Sequence, residues 1–115
     1  MAYDELLANR IREALSDQGQ VDEVKMFQGL CFMVNDKMCV CIRDKDMLCR
    51  IGREQAAIAL ENDNCRQMVN GNRVMKDFVF VEAENLQKIK DFDHWISLCL
   101  QFNKIAKLSK KKKNK

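Results

Sequence analysis

The side chains that could do chemistry in this 115-residue sequence are six cysteines, one histidine and scattered acidic residues. Nucleophilic catalysis requires a serine, cysteine or threonine beside a base. The single histidine, His94, falls in a predicted helix with Asp91 and Leu98 as neighbours, and the sequence contains no threonine. Asp44 and Asp46 flank a predicted turn, and turn formation explains them better than acid–base catalysis. The sequence therefore predicts no catalytic residues and no enzymatic activity.

The cysteines do not have the spacing of a metal site. Structural zinc sites favour two cysteines separated by two to four residues, whereas the closest pair here is Cys39 and Cys41. Strand alternation places these two on one face of a sheet, and Cys31 and Cys49 on the other. We therefore expect no metal, no cofactor and no redox pair formed by Cys39 and Cys41. We also expect all six thiols to be reduced and to act as small buried hydrophobic groups.

Composition and charge predict one soluble domain in the cytoplasm. The hydrophobic fraction of 47% is that of a globular protein, no apolar run is long enough to cross a membrane, and the N-terminus lacks an export signal. Residues 104–115 carry seven lysines and no acid, whereas residues 1–103 hold 13 basic and 17 acidic residues. We therefore expect a folded domain over residues 1–108 and a disordered lysine-rich tail over residues 109–115.

Hydrophobic periodicity predicts an α+β two-layer domain, in which an antiparallel β-meander packs against helices. The meander is predicted over residues 23–51 and a further strand over 77–81, with a turn-rich polar segment at 63–73 between them. Helices flank these strands: an N-terminal helix, a short middle helix and a long C-terminal helix are predicted over 4–17, 53–62 and 84–108.

Two-residue turns at Asp36-Lys37 and Asp44-Lys45 would fix which side chains of the meander share a face. In that register one face meets the helices, with the side chains of Cys31, Met33, Met38, Val40, Ile42, Met47, Cys49 and Ile51. The opposite face is also mostly apolar, which predicts that a second copy of the chain or a protein partner covers it. Its candidate interaction residues are Phe32, Val34, Cys39, Cys41 and Leu48.

Four segments together resemble the N-terminal domain of the TfoX/Sxy family, bacterial regulators of DNA competence. They are MAYDELLANRIREAL, KMFQGLCFMVNDKMCVCI, MLCRIGREQ and MVNGNRVMKDFVFVE, and the resemblance extends over roughly residues 1–105. Gln28 replaces the first glycine of the family's Gly-Gly pair, Gly29 keeps the second, and Val74 replaces the proline before Met75. The resemblance implies a stand-alone, non-enzymatic interaction or regulatory module, without carrying over the competence role of longer members.

The lysine tail offers a second hypothesis, non-specific binding to nucleic acid through phosphate contacts. An anionic membrane surface is an alternative target, and a solubilising tail with no partner is a third. No aromatic residue lies among the lysines, so stacking on bases is not indicated. The candidate anion-binding residues are Lys107, Lys110, Lys111, Lys112, Lys113 and Lys115.

Overall fold

A computed structural model describes residues 3–26, 29–61 and 65–106. The elements run α1 (Glu5–Ala14), β1 (Val21–Met26), β2 (Gly29–Val34), β3 (Lys37–Arg43), β4 (Asp46–Arg50), α2 (Arg53–Ala59), β5 (Arg66–Asn70), β6 (Arg73–Val81) and α3 (Ile89–Asn103). The strands form one antiparallel sheet in the order β1-β2-β3-β4-β6-β5. The predicted α+β class, with its N-terminal, short middle and long C-terminal helices, is confirmed.

The main core lies between the sheet and the helices. Helix α1 begins at Asp4, whose carboxylate accepts a hydrogen bond of 3.0 Å from the backbone N–H of Leu7. Leu7 and Ile11 are buried against the sheet, and Trp95 and Cys99 do the same from α3. Helices α1 and α3 therefore each bury one apolar stripe and leave their polar sides in water.

Polar contacts from the two long helices fix them on this side of the sheet. The guanidinium of Arg10 donates to the backbone carbonyl of Leu86 at 2.8 Å and stacks over the Phe92 ring, which joins α1 to α3. At the other end of α3, the buried amide of Asn103 donates to the carbonyl of Val34. Lys37 donates to the carbonyl of Asn103 in return. The end of α3 is thus attached to the β2–β3 turn.

The β2–β3 register differs from the predicted one. Val34 pairs with Lys37, so the turn residues are Asn35 and Asp36, and both have the positive φ angles of a type I′ turn, 53° and 68°. Phe32 then pairs with Val40 and Met33 with Met38, which leaves Cys39 as the extra residue of a β-bulge. The predicted Asp36-Lys37 turn was therefore displaced by one residue. The Asp44-Lys45 turn is confirmed by the pairing of Arg43 with Asp46.

The bulge at Cys39 reverses the faces of β2 relative to Val40 and Ile42, because it shifts the pairing by one residue and successive side chains of a strand point to opposite sides. The prediction is wrong for Phe32, Val34 and Cys39, which are 0%, 1% and 1% exposed in the helix-side core. It is wrong in the opposite sense for Cys31 and Met38, which belong to a separate cluster with Cys41 and Leu48. The helix-side placement of Val40, Ile42, Met47, Cys49 and Ile51 is confirmed.

Two segments have a different secondary structure from the predicted one. The segment 63–73, predicted as turn-rich, contains strand β5, and Gly71 lies in the turn that joins β5 to β6. The predicted helix at 84–108 begins later: Ala83–Asn85 form a 3-10 turn, and α3 starts at Ile89 and ends at Asn103. The predicted tail at 109–115 lies outside the described residues.

Candidate functional site

His94 lies in a shallow cavity of about 240 Å³ between α2 and α3. The centroids of the His94 and Trp95 rings lie 5.4 Å apart in an edge-to-face arrangement. Asp91 and Leu98 also line the cavity, as the helical spacing predicted. The remaining lining residues are Gln55, Ile58, Ala59 and Asn85. None of these residues is a serine or cysteine, so the cavity places no nucleophile beside the imidazole.

Three reduced thiols meet in the helix-side core. Cys39 of β3 is in hydrogen-bonding contact with Cys99 of α3, which also contacts Cys49 of β4. The hydrogen bond to Cys99 and burial together raise the pKa of the Cys39 thiol, and burial raises the pKa of Cys99. Across the described ranges, no group of three or more His, Cys, Asp or Glu residues is arranged to hold a metal ion.

The raised pKa values predict that Cys39 and Cys99 resist alkylation in the folded chain. At about pH 9, half of an ordinary thiol population is ionised and reacts with iodoacetamide, whereas a thiol with a raised pKa stays protonated. Mass mapping after a short iodoacetamide pulse at this pH should find neither residue labelled. The same pulse in denaturant should label both, and equal labelling in the two conditions would contradict the buried thiol cluster.

On the opposite side of the sheet, Cys31 and Cys41 form a disulfide. They are a directly opposed pair on β2 and β3, and both are fully buried. The expectation that all six thiols are reduced is therefore wrong for this pair. The bulge at Cys39 explains the error, because it pairs Cys31 with Cys41 on the same face, whereas the predicted register separated them.

Loss of this disulfide should lower the stability of the fold. A crosslink between residues ten apart removes loop-closure entropy worth about 2–3 kcal/mol from the unfolded chain. We expect dithiothreitol to lower the Tm by roughly 10 °C, which differential scanning calorimetry would measure. The double variant C31A/C41A provides the control, since its Tm should not respond to dithiothreitol. If dithiothreitol lowered the Tm of the parent chain and of C31A/C41A equally, the result would contradict a disulfide between Cys31 and Cys41.

The five predicted interaction residues do not form one exposed surface. Phe32, Val34 and Cys39 are buried under the helices, while Cys41 and Leu48 lie on the other side of the sheet and are also fully buried. Strand alternation pointed to an apolar second face, but it could not locate the bulge that sets the faces. The partly exposed residues of that second face were missed as interaction candidates.

The outer face is the side of the sheet opposite the helices. Its buried cluster contains only strand residues: Cys31, Cys41, Leu48, Met68 and Phe78. Met26, Met38, Met75 and Phe80 pack against this cluster and are partly exposed, and Val24, opposite Cys31, is 39% exposed. Methionine side chains are flexible and adapt to different contacting surfaces. Among the described residues, strands alone supply the buried cluster of this face, and α2 borders it only beside Met75 and Phe78.

The candidate anion-binding lysines, which are Lys107, Lys110, Lys111, Lys112, Lys113 and Lys115, lie outside the described residues. Their role stays a prediction from composition. In the ranges that the structure does cover, no helix is long and apolar enough to cross a membrane.

These features define a class: a small α+β domain with partly exposed apolar side chains on the sheet face opposite its helices. A family model described as the TfoX N-terminal domain matches residues 13–103. Because the match covers most of the chain, the chain belongs to the TfoX N-terminal domain family, a regulatory and non-enzymatic family. Searches of curated proteins and of solved structures return no match.

Proposed function

We propose that this chain is a non-enzymatic interaction module of the TfoX N-terminal type, acting in the bacterial cytoplasm through the outer face of its sheet. The observation that carries the proposal is the outer-face cluster, which combines a fully buried apolar centre with partly exposed methionine and aromatic side chains. Exposed apolar surface of this kind is a liability unless a partner covers it.

A second copy of the chain is the simplest occupant of the outer face. A two-fold pairing needs only one self-complementary patch, and closed dimers of this kind are the commonest homo-oligomers. Side chains on opposing sheet faces interdigitate well when they are apolar and adaptable. A different protein partner with an apolar surface is the alternative occupant.

Size-exclusion chromatography with light scattering tests this proposal. The full chain should show a mass that rises with concentration toward twice that of one chain. The variant V24K/M26K adds two charges to the outer face and should stay monomeric. The matched control L6K/I89K adds the same charges at two residues that are 75% and 72% exposed outside the outer-face cluster, and should associate like the parent. A strict monomer at every concentration would reject the dimer.

A second candidate function, non-specific nucleic-acid binding, is favoured by the seven lysines within residues 104–115. Lysines that neutralise phosphates release counterions, so affinity should fall steeply as salt rises. Filter binding of a 20-base-pair duplex across a salt series measures that slope. Deleting residues 109–115 should abolish binding; unchanged binding would exclude the tail as the site.

A further inference from the structure

We propose that a cationic cleft between α2 and the β5–β6 hairpin binds an acidic, amphipathic segment of a partner protein. This inference rests on the proposed role as an interaction module, and it concerns a docking site at the border of the outer face, with which the cleft shares Met75 and Phe78. The cleft is defined by Arg53 and Ala57 of α2 and by Val74, Met75 and Lys76 of β6.

The floor of the cleft is apolar. It is a recess of about 270 Å³, and its apolar lining residues are Ala56, Ala57, Leu60, Val74, Met75 and Phe78. Val74 is 41% exposed, and Val69, its cross-strand neighbour near the hairpin turn, is 49% exposed. Two exposed valines paired on one hairpin leave apolar surface in water that a partner's aliphatic side chains would cover.

The rim of the cleft is cationic. Arg53, Arg73 and Lys76 all line a recess that adjoins the floor, and all three are exposed. Within the described ranges none of them takes part in an ion pair or a side-chain hydrogen bond, unlike Arg12 and Arg66, which pair with glutamates. The rim cations are therefore available to an external anion.

Local charge complementarity identifies the class of partner. Residues 1–103 hold 17 acidic and 13 basic residues, so a group of three unpaired cations is a departure from the surrounding surface. Asp77 adds one carboxylate to the lining of the same recess. Its backbone carbonyl accepts hydrogen bonds from the backbone N–H groups of Ile51 and Gly52. Carboxylates of a partner would be attracted to the rim and oriented by it, while specificity would come from the apolar contacts below.

A peptide fits the cleft better than a nucleic acid does. Sequence-tolerant binding to single strands uses exposed aromatic rings for base stacking, but the one aromatic ring in the lining, Phe78, is only 6% exposed. Phosphates would engage the rim and leave the aliphatic floor uncovered. An acidic segment with aliphatic side chains spaced along it would satisfy both parts of the cleft, as amphipathic segments do in apolar grooves.

Selection from a random 16-residue peptide library displayed on phage, with the full chain as bait, tests the proposal. The selected peptides should combine Asp or Glu with Leu, Ile or Phe. By fluorescence anisotropy, they should bind the charge-reversal variant R53E/R73E/K76E about 10-fold or more weakly than the parent chain. The matched control K25E/K88E/K90E makes the same charge change at exposed lysines elsewhere and should stay within about 2-fold.

The milder variant R73Q/K76Q serves as a second test if the three charge reversals unfold the domain. It should bind the peptides several-fold more weakly than the parent chain, with an unchanged melting curve. Peptides without acidic residues, or equal binding to parent and cleft variants, would overturn the proposal. Weakened binding of a 20-base-pair duplex by the cleft variant, with peptide binding unchanged, would also overturn it and assign the site to nucleic acid. Light scattering of V24K/M26K reports separately on the outer face, so the two proposals can fail independently.

Discussion

Replacing Gly29 with alanine should destabilise the fold by about 3 kcal/mol or more, because the added methyl group has no space. A Cβ at Gly29 would overlap the backbone carbonyl oxygen of Ile42 and would lie 3.2 Å from the Cα of Arg43. These are main-chain atoms of the paired strand β3, so no side-chain rotation relieves the overlap. Strands β2 and β3 would have to separate where β2 begins and β3 ends.

Urea denaturation followed by circular dichroism measures this loss. The control G71N replaces a glycine with φ of +67° in the β5–β6 turn, where an added Cβ has no atom within 4 Å. Asparagine tolerates this backbone conformation, so we expect a change below about 1 kcal/mol. A cost for G29A as small as that of G71N would contradict the close approach of β2 and β3.

The second large effect is expected at Phe32. The ring is fully buried between the sheet and the helices, and truncation to alanine leaves a cavity that the rigid neighbours cannot fill. Substitutions of this type cost about 3–5 kcal/mol. V24A on the outer face is the control, and at an exposed strand position it should cost well under 1 kcal/mol. If F32A left the free energy of unfolding almost unchanged, Phe32 would have to lie on the other face of the sheet, where the predicted register placed it.

The class of fold and the order of most helices and strands could be predicted from the sequence. The spacing of Leu7 and Ile11 in α1, and of Phe92, Ile96 and Cys99 in α3, produces one buried stripe per helix. The short apolar runs of β2, β3 and β4 are buried on both faces, and such runs identify a strand without indicating which side chains meet the helices.

The register of β2 and β3 could not be predicted because it depends on two local backbone features, of which the bulge at Cys39 decides the faces. Asn35 and Asp36 both adopt positive φ, which Asn and Asp tolerate better than Lys does, so the residue types favoured this turn over Asp36-Lys37. The bulge at Cys39 then shifts one strand by one residue, and no residue type marks it. The displaced turn alone shifts the pairing by two positions and keeps the faces, whereas the bulge shifts it by one position, which is enough to exchange core and surface.

Strand β5 was missed for a different reason. Its sequence, RQMVN, is short and polar because it lies at the edge of the sheet, where Arg66 and Gln67 face solvent. Edge strands often carry charged residues that oppose further pairing, so their sequences resemble loops. The cationic cleft was missed with it, since Arg53, Arg73 and Lys76 come together only when the β5–β6 hairpin packs beside α2.

Methionine-methyl NMR of the full chain, recorded across a concentration series, tests the interaction surface most directly. Association through the outer face predicts concentration-dependent shifts for Met26, Met38 and Met75, which are partly exposed in the outer-face cluster. It predicts no shift for Met47, which is fully buried in the helix-side core. Concentration-independent resonances for all four methyl groups, or shifts confined to Met47, would contradict association through the outer face.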